Sequence, residues 1–300
     1  MISGYLIGDK ITEGTSPVIY KATDLRSNEI VALKVSKMDQ EEDGVTISSM
    51  REITTLRNMS HPNIITLREV ITENEHLAVA FEFMDKNLRQ FLEKRYKPLD
   101  PPLLQSYAYQ LLSGINYIHS VGYIHQQIEP SNILINTKGL LKIGGFGKAR
   151  AYHHPMSRTV NTSQLLWYTA PELLVGTDYY GLGIDVWSAG CIIAEMARGQ
   201  VLFPGDSNID MVARISNVLG QPSEEEWPDF FRVFSKMSFR PLGDFDSCFN
   251  NINQDLLDLI KKLLTLNPAN RISANEALLH PYFKDIPHQF VEFFSYNTGD

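Results

Sequence analysis

The spacing of hydrophobic and polar positions changes about a third of the way along the chain. Residues 5–11, 18–24, 30–36 and 76–84 are short β-branched or aromatic runs divided by turn residues, which predicts strands. Between them, residues 48–58 read as a helix that Ser48 or Ser49 can cap, with Ile53 and Leu56 on one face. His61-Pro62-Asn63 then breaks the chain. Beyond residue 84 the period lengthens. Leu104, Ala108, Leu111, Leu112, Ile115 and Ile118 fall three to four apart, which predicts a core-facing helix over 103–121, ended by Gly122. Residues 185–198 are apolar nearly all round (Val186, Trp187, Ala189, Ile192, Ile193, Ala194, Met196), the pattern of a helix buried at the centre of a fold. Residues 256–266 and 273–279 predict further helices, each stopped by a downstream proline. With no repeats, low-complexity tracts or long linkers, the expected architecture is α+β: a strand-rich lobe over 1–84, a larger helical lobe over 85–285 and a short tail over 286–300.

Composition narrows the function classes. Lys plus Arg is 27 and Asp plus Glu is 35, a formal net charge of 27 − 35 = −8, without the global footprint of a nucleic-acid binder. Cys191 and Cys248 make neither a disulfide framework nor a zinc spacing. No apolar run approaches the roughly 20 residues that span a bilayer, and residues 1–10 carry no leader pattern. The expectation is an intracellular protein, cytoplasmic or nuclear, with no nucleic-acid partner and no membrane insertion.

The chemistry-bearing motifs run in a fixed order. They are Glu13-Gly14-Thr15, Val31-Ala32-Leu33-Lys34, Thr46 to Arg51-Glu52, Asn132-Ile133-Leu134, Phe146-Gly147, Ala170-Pro171-Glu172 and Asp185-Val186-Trp187-Ser188. Trp167-Tyr168 and Leu202-Phe203-Pro204-Gly205-Asp206-Ser207 complete the set. Over residues 4–285 the chain resembles a protein kinase of the cyclin-dependent kinase family. Phe81-Glu82-Phe83-Met84 and Glu42-Asp43-Gly44 lean toward its cell-cycle-related kinase branch, for which a cilium joins the expected compartments. The resemblance implies a bilobal protein-kinase fold: a small antiparallel β-sheet lobe with one C-helix, and a larger, mainly helical lobe.

Phosphoryl transfer is mostly positioning and charge stabilisation, with metal ions neutralising phosphates and a carboxylate orienting the attacking hydroxyl. The family assigns this work to His-Arg-Asp, a Lys two residues on, an Asn five on, and Asp-Phe-Gly. Here the segments read His125-Gln126-Gln127-Ile128-Glu129-Pro130-Ser131-Asn132 and Gly145-Phe146-Gly147, in register. Gln127 stands at the catalytic-base position, where an amide takes no proton from a hydroxyl near neutral pH. Gly145 stands at the metal-binding Asp and offers no side-chain oxygen, and Glu129 stands at a phosphate-facing Lys. Thr12 and Pro17 replace the outer glycines of the phosphate loop, and Pro17 removes a backbone N–H. Losing a general base costs ~10²–10⁴ in rate and losing one electrostatic group ~10²–10³. The expectation is a pseudokinase acting as a binding or regulatory module; the alternative is a serine/threonine kinase using Glu129 as base or metal ligand.

By the same resemblance, Ile11, Gly14, Ile19, Ala32, Phe81, Glu82, Met84 and Leu134 form an ATP pocket, with Lys34 and Glu52 as its ion pair. The expectation is weak or metal-independent ATP binding, with no binding at all as the alternative, since Asn132 alone is a poor Mg²⁺ site. Arg51 and Arg150 remain from an activation-loop arginine cluster, but its third arginine is Gln126 and its phosphothreonine position is Val160. Thr159 and Thr162 flank that position, Leu165 replaces a family threonine, and Ser16 replaces an inhibitory tyrosine. Glu172 and Arg271 match a buried structural pair. Expected partners are proteins, a cyclin-like activator or another kinase, although residues 46–52 depart from the usual cyclin-binding wording. His153-His154 reads as a solvated pair, His125 as a core histidine, Cys191 as an inert buried thiol and residues 224–226 as an exposed turn.

Overall fold

The computed structural model describes residues 2–11, 17–37, 46–73, 75–95, 97–152, 156–157, 166–177, 179–228, 230–231, 245–249 and 251–286. Its first part is an antiparallel sheet of β1 (Tyr5–Lys10), β2 (Val18–Asp24), β3 (Ile30–Lys37), β4 (Leu67–Glu73) and β5 (His76–Glu82), in the order β1-β2-β3-β5-β4. The two-residue side-chain period of β3 divides its labour. Val31 and Leu33 turn into a small core with Ile2, Tyr5, Ala22, Ala78 and Ala80. Ala32 and Lys34 take the other face, where Ala32 pairs with Phe81 across the ladder and Lys34 with Val79.

β4 escaped the hydrophobic pattern because it is an edge strand, nowhere fully buried and without clean alternation. The helix α1 (Ile47–Leu56) packs against β4 and the turn over Phe146–Lys148; its N-cap is Thr46, whose hydroxyl accepts from Ser49 N, rather than Ser48 or Ser49. It buries Glu52, Ile53 and Leu56 and leaves Ile47 exposed.

A second, larger core surrounds helices. After β6 (Lys86–Asn87) and α2 (Leu88–Glu93) comes α3 (Pro101–Ser120), which starts two residues before the expected point because proline suits a first turn that needs no N–H. Gly122 then reverses the chain at φ +77°. The strands β7 (Tyr123–Ile124), β8 (Ile133–Ile135) and β9 (Leu141–Ile143) follow, and β6-β8-β9 form one small sheet. Next come β10 (Arg150–Ala151), α4 (Pro171–Val175) and α5 (Gly183–Arg198), whose Trp187 is fully buried and which packs on α3. The helix α6 (Asn208–Leu219) lacked a sequence expectation, although Ser207 caps it by accepting from Asp210 N. The last two helices are α7 (Gln254–Leu263), capped by Asn253, and α8 (Ala274–Leu278), opened by a Ser273/Glu276 capping box. The molecule is a bilobal α+β fold, a five-stranded antiparallel lobe on a mainly helical one. Within the described residues no helix is long and apolar enough to cross a membrane.

Candidate functional site

Where the sheet meets the helical lobe, a cleft with a cavity volume of about 250 Å³ opens. Ile11, Ile19, Ala32, Lys34, Glu52, Phe81, Glu82, Met84, Asn132, Leu134 and Gly145 all line it. Lys34 Nζ meets Glu52 Oε2 at 2.7 Å, tying β3 to α1. Glu82 is held from below: its carboxylate accepts from Thr66 N at 2.6 Å and pairs with Lys142 Nζ at 2.8 Å. Lys142, itself buried, also donates to Ile64 O at 3.2 Å. Met84 lines the cleft, and its backbone N–H and C=O enter no hydrogen bond among the described residues.

The loop between β7 and β8 carries the second set of residues. Asp185, at the start of α5, accepts from His125 N at 2.8 Å and from Gln126 N at 2.9 Å, and its Oδ2 also contacts His119 Nε2 at 3.0 Å. Burial pushes the Asp185 carboxyl up, but hydrogen bonds and nearby imidazoles hold it below its ordinary value. These contacts hold Gln126 at φ +67°, a conformation that a side chain adopts only under constraint. Its Oε1 accepts from Tyr180 O–H at 3.3 Å. His125 is fully buried: Nδ1 accepts from Gln127 N at 3.2 Å and Nε2 donates to Gly144 O at 3.0 Å. Burial pushes its imidazole pKa down, which keeps that neutral tautomer. The Gln127 side chain reaches Glu129, with Nε2 3.5 Å from Oε1, and the same Glu129 oxygen accepts from Ser131 Oγ at 2.6 Å.

Pairing of β8 with β9 sets Ile133 opposite Ile143, so the residues flanking them come together. Gly144 N donates to Asn132 O at 2.8 Å, and Asn132 Nδ2 donates to Gln127 O at 2.9 Å. Gly145 has φ +76°, and a β-carbon there would overlap Asn132 Oδ1 and Cγ and lie 2.9 Å from Nδ2. The Asn132 carboxamide therefore rests in the space where a side chain at 145 would begin. Of the two positions, one supplies a carboxamide and the other nothing. Among the described residues no three His, Cys, Asp or Glu side chains are grouped to hold a metal ion.

The remaining site residues lie on either side. Arg51 Nη1 donates to Gly147 O at 3.2 Å, joining α1 to the turn after Gly145. Arg150 sits in β10 opposite Ile124, just before the loop. Gly14, Thr159 and Thr162 lie outside the described residues, as do Thr12, Ser16, Val160, Leu165 and His153-His154. Deep in the helical lobe, Arg271 grips Glu172 with both terminal nitrogens, at 2.7 and 2.9 Å. It donates further to the carbonyls of Thr265, Gly183 and Leu266, and its guanidinium lies over Trp187, 5.1 Å from the ring centroid. All five donors are used. Cys191 is buried, and burial pushes its thiol far up.

Sequence reading missed Ile65, Lys86, Asn87, Gln90 and Ser131 on the cleft wall, and it missed Lys142. Only Lys142 left a signal, a lone cation between Leu141 and Ile143. Asp185 was legible as part of a motif but not as the anchor of the loop. A family model, the protein kinase domain, matches residues 5–283, from the first strand to the turn beyond α8. The chain therefore belongs to the protein kinase domain family.

Proposed function

We propose that this kinase domain is a cyclin-dependent-kinase-like pseudokinase, a binding and regulatory module without effective phosphotransfer. One observation carries the reading: the loop over 125–132 and the turn after β9 are held by a full set of hydrogen bonds, yet neither Gln127 nor Gly145 carries a carboxylate. Asp185, Lys34 and Glu52 keep the scaffold, while the groups that would move a proton or seat a metal are gone. With Nδ2 donating to Gln127 O, Asn132 keeps one neutral oxygen, Oδ1, which by itself falls short of the oxygen-rich shell that Mg²⁺ demands. ATP binding, where it occurs, is weak and metal-independent on this reading. The partner is a protein, a cyclin-like activator or a second kinase. Supporting this, α1 presents Ile47, 76 % exposed, and Met50, 52 % exposed, on its outer face.

A serine/threonine kinase of unusual mechanism is the second reading, and Glu129 favours it, since this carboxylate lies 3.5 Å from the Gln127 amide. Purified chain incubated with labelled ATP, Mg²⁺ and a general acceptor separates the two. The pseudokinase gives no transfer above that of a Lys34→Met variant. Robust transfer, abolished by Lys34→Met or Glu129→Gln, overturns it.

A further inference from the structure

A second hollow, of about 370 Å³, lies on the helical lobe and shares no lining residue with the cleft. The start of α3 forms one wall through Pro102, Leu103 and Tyr109, and the turn between β8 and β9 forms another through Lys138 and Gly139. Two glutamines in these walls have their amides committed to the fold. Gln105 Nε2 donates to Tyr282 O. Gln110 Nε2 donates to Ser106 Oγ and Gly139 O, each at 3.0 Å, and its Oε1 accepts from Leu141 N at 2.8 Å. The remaining lining is mostly apolar, with the exposed Lys138 at the rim, which enters no ion pair among the described residues. The volume falls within the roughly 300–1,000 Å³ of ordinary ligand pockets.

The chain itself leads into this hollow. Phe283 meets Tyr109 edge-on, 5.5 Å between ring centroids, and Ile286, the last described residue, is part of the lining. Residues 287–300 lie outside the described residues. Their sequence carries Phe290, Val291, Phe293, Phe294 and Tyr296, with Glu292 and Asp300 and no Lys or Arg. So many aromatic side chains are the opposite of the composition that stays in water, and the acidic charge complements Lys138. Phe290 stands four residues beyond Ile286, a reach of about 13 Å when extended.

We propose that the occupant of this hollow is the chain's own segment 287–300: rings of the Phe290–Phe294 stretch seat among Leu103, Tyr109 and Ile286, with Glu292 toward Lys138. Both sides then remove apolar surface from water, and the covalent tether makes their encounter intramolecular, so a modest contact suffices. The contact is independent of phosphotransfer at the cleft.

Photocross-linking of the full chain with benzoylphenylalanine in place of Phe290, mapped by mass spectrometry, tests this. Cross-links within one chain to residues 102–109 or 138–139 are expected. Lys138→Glu, a change at an exposed position, is expected to lower their yield about twofold at low salt, with the difference shrinking at 1 M salt. Leu103→Glu, which sets a charge in the apolar wall, is expected to lower it about tenfold, with thermal unfolding of both variants recorded alongside. Cross-links between two chains would assign the hollow to a second copy and overturn the proposal. Cross-links only elsewhere on the chain, or none, overturn it too, as does a yield that both variants leave unchanged.

Discussion

Asn132 and Gly145 share one volume. The Asn132 carboxamide lies where the β-carbon of any larger residue at 145 would stand, and Gly145 itself sits at φ +76°. Returning an acid to position 145 is therefore more than adding a ligand. Gly145→Ala should cost roughly 1–2 kcal/mol from the left-handed backbone and about 1–3 kcal/mol more from the overlap. In an Asn132→Ala background the second part disappears, leaving a coupling of about 1–3 kcal/mol in a double-mutant cycle of denaturant unfolding. Effects that add within about 0.5 kcal/mol would show that the two residues do not compete.

Lys34 works as a brace between the sheet and α1. Lys34→Met leaves Glu52, 6 % exposed, without its cation, at a cost of about 1–3 kcal/mol. A Lys34→Met/Glu52→Leu double variant should regain most of that, since an apolar pair replaces a partly buried ion pair at little net cost. Thermal unfolding of the three proteins checks the order. A Lys34→Met variant as stable as the parent would show that the pair contributes nothing.

The pair of Arg271 and Glu172 should matter far more. Five donors meet carboxylate and carbonyl oxygens in a site that exposes 0 % of the arginine side chain. Arg271→Lys keeps the charge but not the fork, and should lose about 3–5 kcal/mol, as a broken buried pair does. A loss below about 1 kcal/mol in urea unfolding would put the pair among ordinary surface bridges.

Histidines set a pH dependence. Burial, with Lys142 nearby, lowers His61 to about 4; it stacks on Tyr117, accepts from Asn63 N and lies 3.5 Å from Ser113 Oγ. Because the folded value lies below the ordinary 6.5, the unfolded chain binds the proton first. Its contribution is complete above about pH 6.5 and is lost as pH falls toward 4, at no more than about 1.4 kcal/mol per pH unit. His125 acts in the same direction, and Asp185, held low, acts below about pH 4. His61→Asn keeps an acceptor for Asn63 N in an Asx turn and should flatten stability between pH 6.5 and 4. Equal slopes for variant and parent would remove His61 from the account.

Much of this was legible in the chain because it is written in period. The central helix announced itself by apolar residues on every side, and β3 by alternation that sends Val31 and Leu33 one way and Ala32 and Lys34 the other. Gln127 and Gly145 were readable because the resemblance to the kinase family, matched at its motif spacing, fixed their register. The rest depends on three dimensions. No local pattern marks β4 at a sheet edge, the Lys142–Glu82 pair across 60 residues, or an Asn132 side chain turned onto Gly145. The N-cap of α1 illustrates the finer limit: Thr46, Ser48 and Ser49 are all capping types, and only the backbone angles at Thr46 decide among them.

The central claim is that the cleft between Asn132 and Gly145 seats no metal. Crystals grown with a non-hydrolysable ATP analogue and Mn²⁺, with the anomalous signal of manganese recorded, test it most directly. The account predicts no manganese peak between Asn132 Oδ1 and the Gly145 backbone. Two ordered manganese ions there, bridging the phosphates, would contradict it.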